Sequence, residues 1–155
     1  MQRSSEQLID AVLRGSRVLL AVAVRSLNAV DHDVTLPQYR ALVVLASRGP
    51  QRPTELAEAL AVHPSTITRL CDRLVAKRLV QRAESPTNRR EVSIRLTAKG
   101  RRLVDTVTES RRQEIATIVA RIPADERATV VHALHALGDA ASEPQDAAWF
   151  AGTET

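Results

Sequence analysis

Apolar residues recur every three or four positions over most of this chain, which predicts a mainly helical protein. The first such pattern covers residues 5–30, and in its second half apolar side chains occupy most of the helix circumference. Helical spacing returns after Thr97 and again after Pro123. We therefore expect a long first helix that contacts neighbours on more than one side, and two helices at the C-terminal end.

The middle of the chain contains three shorter helical patterns separated by helix-breaking residues. The first lies in QYRALVVLASRG and stops at Gly49. The second covers residues 53–60, and the third begins at Pro64 after a break of three residues. In this third pattern one face is apolar and is expected to point inward; its residues are Ile67, Leu70, Cys71, Leu74 and Val75.

The period of the pattern changes from helical to two after the third short helix. Residues 80–83 predict one strand, and SPTNRR predicts a turn. In the return strand Ser93 and Arg95 alternate with three apolar residues, which are Val92, Ile94 and Leu96. The predicted fold is mainly α with a small β-hairpin, the arrangement called a winged helix-turn-helix.

Basic charge is concentrated in this middle part of the chain. Residues 48–102 contain 13 Lys and Arg against 5 Asp and Glu, a net charge of +8, whereas the remaining residues carry −4. A local cationic surface of this kind favours binding to phosphates. A solvated charged surface would have the same composition, so charge alone leaves both interpretations open.

The arrangement of the short helices indicates which phosphates are bound. Two short helices joined by a tight turn, the second with an exposed polar face, are typical of proteins that read the major groove of double-stranded DNA. Short hydroxyl and guanidinium side chains reach base edges there. The candidate base contacts are Ser65, Thr66, Thr68 and Arg69. We expect Arg73 to contact phosphate, and Pro64 to leave free N–H groups at the helix start directed at the DNA backbone.

Two arginines extend this hypothesis to the minor groove. Arg89 and Arg90 lie at the predicted tip of the hairpin, in the turn that begins Ser-Pro-Thr-Asn. The negative potential of the minor groove attracts extended guanidinium groups. An arginine pair in a turn is often only solvated charge, but its position directly after a recognition helix favours a DNA-binding wing.

The run TELAEALAVHPSTITRLCDRLVAKRLV, followed by SPTNRREVSIRLTAKG, resembles the DNA-binding domain of the MarR family of transcription regulators. The wing of that family typically contains Asp-x-Arg, a short strand and then Leu-Thr-x-x-Gly. The resemblance extends from about Leu36 to Gly100, and the order of the flanking helices agrees over nearly the whole chain. It implies a regulator, in most such proteins a repressor, rather than an enzyme.

Some positions differ from the family pattern. By the resemblance Arg90 is the minor-groove arginine, and Asn88 replaces the aspartate that normally orients it, so the wing would be held less firmly. Ala61 and Arg78 occupy positions where the family commonly has glycine, and His63 occupies one where a serine often caps the recognition helix. Arg78 must adopt a left-handed conformation, or the helix must end differently.

The resemblance also implies a homodimer that reads a pseudo-palindromic site with two recognition helices about one DNA turn apart. The dimerisation lobe would comprise residues 1–34 and 101–141, the DNA-binding domain residues 35–100, and a loose tail residues 142–155. Family members often bind a small aromatic or phenolic anion between the two lobes. The residues of this chain nearest to that location are Arg17, His32, Tyr39 and Arg40.

Several other kinds of site are not expected. The single cysteine, Cys71, permits neither an intrachain disulfide nor a thiolate metal cluster, and its predicted role is that of a small core residue. His132, His135 and Asp139 have a spacing that could hold a metal, but without further ligands we expect polar surface and no metal or cofactor. No phosphate-binding loop and no set of catalytic residues is recognisable, so catalysis is not expected.

The sequence also argues against membranes and single-stranded nucleic acid. No stretch of 18 apolar residues occurs and the N-terminal segment is charged, so we expect a cytoplasmic protein without membrane contact. Tyr39, Trp149 and Phe150 are its only aromatic residues, which leaves little for base stacking.

Two other classes of function remain open from the sequence. A winged-helix domain can bind an acidic protein instead of DNA, although such a partner would usually meet apolar or aromatic anchors on the exposed helix face. An enzyme that uses His132 and His135 would lose activity on their replacement while DNA binding survived. The DNA hypothesis predicts the reverse for Arg69 and Arg90.

Overall fold

The computed structural model describes residues 2–84 and 92–141. Its elements are α1 (Gln2–Val30), α2 (Leu36–Arg48), α3 (Pro53–Leu60), α4 (Pro64–Ala76), β1 (Val80–Glu84), β2 (Val92–Leu96), α5 (Ala98–Val119) and α6 (Arg127–Ala140). The mainly α fold with a β-hairpin after the fourth helix is confirmed. The tail expected at residues 142–155 lies outside the described residues.

The core lies between the three short helices, the hairpin and the first half of α5. Its largest fully buried side chains include Leu42, Leu45, Leu56, Ile67, Leu74, Ile94 and Val104. The segment before α3 also joins the sheet, because Gln51 and Ile94 exchange two backbone hydrogen bonds of 3.0 and 2.7 Å. The hairpin is thereby fixed to the helix-turn-helix at its base.

Local capping interactions explain where α2 begins. The Thr35 hydroxyl oxygen accepts a hydrogen bond from the Gln38 backbone N–H at 3.4 Å, and the Gln38 side-chain oxygen accepts one from the Thr35 backbone N–H at 3.2 Å. This reciprocal pair is a capping box, which satisfies two N–H groups that the first helical turn cannot satisfy itself. The start of α2 is therefore well defined.

Two residues without glycine's freedom adopt left-handed conformations. Ala61, which ends α3, has φ 52° and ψ 46°, and Arg78, after α4, has φ 60°. The left-handed alternative for Arg78 is confirmed. Each such residue costs about 1–2 kcal/mol relative to glycine's unhindered conformation. The chain thus forms a tight turn before α4 and another after it without glycine at either position.

The hairpin pairs in an antiparallel register from Val80 opposite Leu96 to Glu84 opposite Val92. One part of the predicted alternation is wrong: Val92 is 50% exposed, whereas Ser93 is buried. Val92 shares a face with Ile94, since residues two apart in a strand point the same way. Val92 is nevertheless exposed, because it lies beyond the end of the core. Ser93 is accommodated because its hydroxyl donates a hydrogen bond to the Ala83 carbonyl at 3.3 Å.

The Leu-Thr-x-x-Gly segment joins the start of α5 to the end of α4. The Thr97 hydroxyl accepts a hydrogen bond from the Gly100 N–H at 3.0 Å, and the Thr97 N–H donates to the Leu79 carbonyl at 3.1 Å. A Cβ atom on Gly100 would lie 2.1 Å from the Leu79 carbonyl oxygen. Only glycine permits the two backbone segments to approach this closely.

The outer parts of α1, α5 and α6 present apolar side chains that the other described residues leave exposed. We call this surface the terminal-helix face; its exposed members are Leu8, Ile9, Val12, Leu13, Val18, Leu19, Leu20, Val24, Ile118, Val119, Val131, Leu134 and Leu137. No residue of α6 is buried. An apolar surface of this extent is typical of a protein contact site. None of the described helices is sufficiently long and apolar to cross a membrane.

Candidate nucleic-acid interface

Helix α4 separates an apolar face from a polar one, as its sequence pattern predicts. Ile67, Leu70, Cys71 and Leu74 are buried, and Val75 is partly buried. The opposite face is exposed and carries Ser65, Thr66, Thr68, Arg69, Asp72 and Arg73. All the α4 side chains selected as DNA contacts therefore lie on one solvent-facing side, while their contact with DNA stays a prediction.

The start of α4 is capped by histidine. The His63 Nδ1 atom accepts a hydrogen bond from the Ser65 N–H at 3.3 Å, and the His63 carbonyl accepts one from the Thr66 N–H at 2.9 Å. His63 thus performs the capping role that a serine often has in the family. The expectation that N–H groups after Pro64 are free for DNA phosphate is wrong for these two groups, because His63 folds back over the first turn and occupies them.

Two hydroxyl groups on the exposed face of α4 have partners within the protein. The Ser65 hydroxyl lies 2.9 Å from the His63 Nδ1 atom. The Thr68 hydroxyl donates to the Pro64 carbonyl at 3.2 Å. Its oxygen still offers lone pairs for an incoming donor. Thr68 is therefore better suited to accept a hydrogen bond from a base edge than to donate one.

The charged side chains of α4 have different surroundings. Asp72 forms an ion pair of 2.6 Å with Arg82 on β1, and both side chains are at least half exposed. Such a surface pair contributes little to stability, but it links the hairpin to the recognition helix. Arg69 and Arg73 have no ion-pair partner among the described residues. Both residues are exposed to solvent.

The N-terminal end of α2 lies beside these two arginines. A groove of about 270 Å³ is lined by Arg69 and Arg73 from α4 and by Thr35, Pro37 and Gln38 from α2. The residues at the start of α2 were not predicted to belong to this surface. The Thr-x-x-Gln pattern predicts a helix start there, but only the tertiary contact places that start next to α4.

The predicted tip of the hairpin contains three of the residues expected to contact DNA. Asn88, Arg89 and Arg90 lie outside the described residues. The strands β1 and β2 lead to this segment from the side of α4 that bears Asp72. The minor-groove role of the two arginines stays a prediction.

The four residues considered for a small ligand have different environments. Arg17 and His32 are exposed, whereas Tyr39 is buried and its hydroxyl lies 3.5 Å from the Thr108 hydroxyl on α5. Burial raises the pKa of Tyr39, so the phenol stays protonated at neutral pH. Arg40 is exposed and lines a mainly apolar cavity of about 240 Å³ between α2 and α4. Tyr39 therefore contacts α5, whereas Arg40 lies beside the cavity next to α4.

The sole cysteine lies within the core, behind the recognition face. Cys71 is buried, and burial raises the pKa of its thiol. A raised pKa leaves less thiolate at neutral pH, and the thiolate is the reactive form. The structure agrees with the predicted core role.

We expect Cys71 to react at least about tenfold more slowly with iodoacetamide at pH 7.5 in the folded protein than in urea. The rate is measured by mass spectrometry over time, and the urea sample is the control because it exposes the same thiol. Equal rates in the two samples would show an accessible thiolate and would contradict the core position of Cys71.

A metal site finds no support in the part of the chain that can be described. Within residues 2–84 and 92–141, no three His, Cys, Asp or Glu side chains are grouped so that they could hold an ion. His132, His135 and Asp139 lie on α6, and all three are exposed. They belong to the solvent-facing surface of this helix in the single chain.

Comparison with known proteins connects this geometry to DNA-binding regulators. A family model described as the MarR family matches residues 34–92. The transcriptional repressor NicR of Pseudomonas putida is 33% identical over 112 residues, which are 72% of this chain and 71% of NicR. NicR is a transcriptional repressor of the helix-turn-helix type.

Solved structures share the same architecture. RV1404 from Mycobacterium tuberculosis is 44% identical, with a TM-score of 0.85 over 92% of this chain and 97% of that chain. BpsR from Bordetella bronchiseptica, whose DNA binding is regulated by 6-hydroxynicotinic acid, is 25% identical. The TM-score with BpsR is 0.64, over 87% of this chain and 95% of that chain.

Proposed function

This chain belongs to the MarR family of transcription regulators, and from that premise we propose that it is a repressor that binds a pseudo-palindromic site on double-stranded DNA as a homodimer. The observation that carries the proposal is the exposed face of α4, with hydroxyl groups and two arginines that have no ion-pair partner in residues 2–84 and 92–141. The repressor function of NicR supports the negative sign of regulation.

The chemistry of this face suits the major groove. Arg69 and Arg73 are four residues apart and therefore lie one above the other on the same side of α4. A guanidinium group can bind the O6 and N7 atoms of guanine with two hydrogen bonds, or a phosphate in the same manner. Thr66 lines the same groove and adds a small hydroxyl. We assign Arg69, with Ser65, Thr66 and Thr68, to base edges and Arg73 to phosphate.

A second copy of this chain is the proposed partner of the terminal-helix face. Its apolar side chains extend along three helices, and an uncovered surface of that size would be costly in water. Within the chain, α1 and α5 are linked by a 2.9 Å ion pair between Arg25 and Glu114. The lobe of residues 1–34 and 101–141 would then present one interface, leaving residues 35–100 to meet DNA.

Control by a small aromatic acid is a further part of the proposal. The regulation of BpsR by 6-hydroxynicotinic acid supports it, and so does the position of Arg40 above an apolar cavity between α2 and α4. A ligand releases DNA only if it binds one spacing of the two recognition helices better than the other. Loss of the DNA complex on titration with aromatic carboxylates, but not with acetate, would agree with this mode of control.

The proposed function is tested by fluorescence anisotropy of labelled duplex DNA from directly upstream of the protein's own gene, with a scrambled duplex as the control. The measurement is made at two salt concentrations on either side of the physiological value. We expect tighter binding to the upstream duplex by about a thousandfold or more. Equal binding to both duplexes would contradict specific recognition at this site, and no binding at low salt would favour a protein partner.

Replacement of Arg69 by alanine is expected to weaken specific binding by about tenfold to a hundredfold, because one bidentate contact to a base is lost. The same anisotropy assay measures this change. Arg121→Ala removes an exposed arginine far from α4 and is the matched control, with unchanged affinity expected. Arg90→Ala tests the wing in the same assay. If Arg69→Ala bound specific DNA like the unmodified protein, the assignment of α4 as the recognition helix would be wrong.

A further inference from the structure

The chain contains two lysines, Lys77 and Lys99, and 20 arginines. Both lysines lie where the recognition helix ends. Lys77 is the C-cap residue of α4, and Lys99 is the second residue of α5. The lysine side chain ends in a compact ammonium group with three donors, whereas a guanidinium group is a wide planar fork. An ammonium group at this position can therefore reach acceptors in a space too narrow for a guanidinium group.

The Lys77 ammonium group contacts the start of α2 and the loop that precedes it. It donates to the backbone carbonyl of Asp33 and to the side-chain oxygen of Gln38, the latter at 3.0 Å. Gln38 is buried, and the same oxygen accepts the Thr35 N–H in the capping box of α2. Lys99 completes the arrangement by donating to the Lys77 carbonyl at 3.1 Å.

The acceptor Asp33 belongs to the loop that leaves α1. This loop is itself ordered by a hydrogen bond of 2.8 Å from the Asp33 N–H to the Asp31 carboxylate. The contact between Lys77 and Asp33 therefore joins the end of the recognition helix to the chain segment that enters from the terminal helices. The two residues are 44 positions apart in sequence.

We propose that Lys77 is a positioning residue for DNA binding, which fixes α4 relative to the loop after α1 before any DNA is met. The inference rests on the proposed function and deepens it. A dimer that reads two half-sites requires a defined separation of its recognition helices. A helix that can shift by about 1 Å loses accurate contacts although all its DNA-facing residues remain.

This proposal differs from the simpler assignment of Lys77 as one more phosphate ligand. Each phosphate ligand contributes about 0.9 to the slope of log affinity against log salt concentration, because it releases a counterion. A residue whose ammonium donates to Asp33 and Gln38 contributes nothing to that slope. The two roles are therefore separable by experiment.

The variant Lys77→Met removes the ammonium group but keeps a side chain of similar length. We expect about tenfold weaker binding to the specific duplex, with unchanged affinity for scrambled duplex and an unchanged salt slope. Lys99→Met removes only the hydrogen bond to the Lys77 carbonyl, and a smaller loss of specific affinity is expected because the ammonium contacts of Lys77 remain. Arg73→Ala is the control for a phosphate ligand, and should lower the slope by about one.

Either of two results would overturn the positioning role. A salt slope lowered by about one, with equal losses on specific and scrambled duplex, would identify Lys77 as a phosphate ligand. Unchanged affinity for the specific duplex would show that the contact has no influence on DNA binding.

A second measurement does not depend on the folding of any Lys77 variant. Protein labelled with ¹⁵N-lysine gives two side-chain ammonium signals, and the Lys99→Met spectrum assigns them. We expect the Lys77 signal to exchange slowly with water in the free protein and to change little when DNA is added. Fast exchange of both groups would contradict the contact. Because this measurement uses free protein, it is independent of whether the unmodified protein selects specific DNA, which tests the proposed function.

Discussion

The variant Gly100→Ala is expected to lose about 2–4 kcal/mol of unfolding free energy, although alanine is the better helix former. The added methyl group would lie 2.1 Å from the Leu79 carbonyl oxygen, 3.0 Å from the Leu79 carbonyl carbon and 3.0 Å from a Leu96 methyl group. The first two atoms are backbone, so they cannot turn aside as a flexible side chain would. The whole start of α5 must move away from the end of α4.

Urea denaturation followed by circular dichroism measures this loss. Gly15→Ala is the matched control, because Gly15 also lies within a helix and, apart from the backbone of that helix, no atom of the described residues lies within 4 Å of its added Cβ. We expect the control to be stabilised by up to about 1 kcal/mol. If the Gly100→Ala protein were as stable as the unmodified chain, the start of α5 would not lie directly against the Leu79 backbone.

A charged pair of substitutions on α6, Val131→Asp with Leu134→Asp, is expected to convert the proposed dimer into monomers. Both side chains are 52% exposed in the single chain, and burying two carboxylates against a second copy would be unfavourable. Affinity for the specific duplex should fall by at least about a hundredfold, since two linked half-sites bind far more tightly than one. Light scattering during gel filtration measures the mass, and anisotropy measures the DNA affinity.

The substitution Val92→Asp is the control for oligomeric state. Val92 is 50% exposed, similar to Leu134, but lies on the hairpin away from the terminal-helix face. Its mass in solution should equal that of the unmodified protein. If the α6 variant kept the mass of a dimer, or if the unmodified protein were a monomer at micromolar concentration, the proposed interface would be wrong.

Much of the fold could be predicted because it depends on short-range chemistry. Helix α3 was predicted as residues 53–60 and occupies those residues, since proline favours its first position and the following break ends it. The two faces of α4 were predicted because helical residues three and four apart share a side. The exposure of Arg69 and Arg73 follows from the same rule.

Other features could not be predicted because they depend on contacts between distant segments. Alternation placed Val92 inside, but the core ends before it. The family pattern often has a serine as the N-cap of α4. That His63 replaces it, by accepting a hydrogen bond from the Ser65 N–H, depends on the orientation of the His63 ring in the folded chain. The groove beside Arg69 requires α2 to lie next to α4.

From the amino-acid sequence one could predict the order of the elements, the polar face of α4, the basic character of the middle segment and the resemblance to a family of DNA-binding regulators. These follow from periodicity, composition and motifs, which depend on neighbouring residues. Three features are visible only in the folded chain: the backbone contact with Leu79 that requires Gly100, the contact of the Lys77 ammonium group with Asp33, and the exposure of the apolar residues of α6 among the described residues. Each of these depends on packing between segments distant in sequence, which no local pattern specifies.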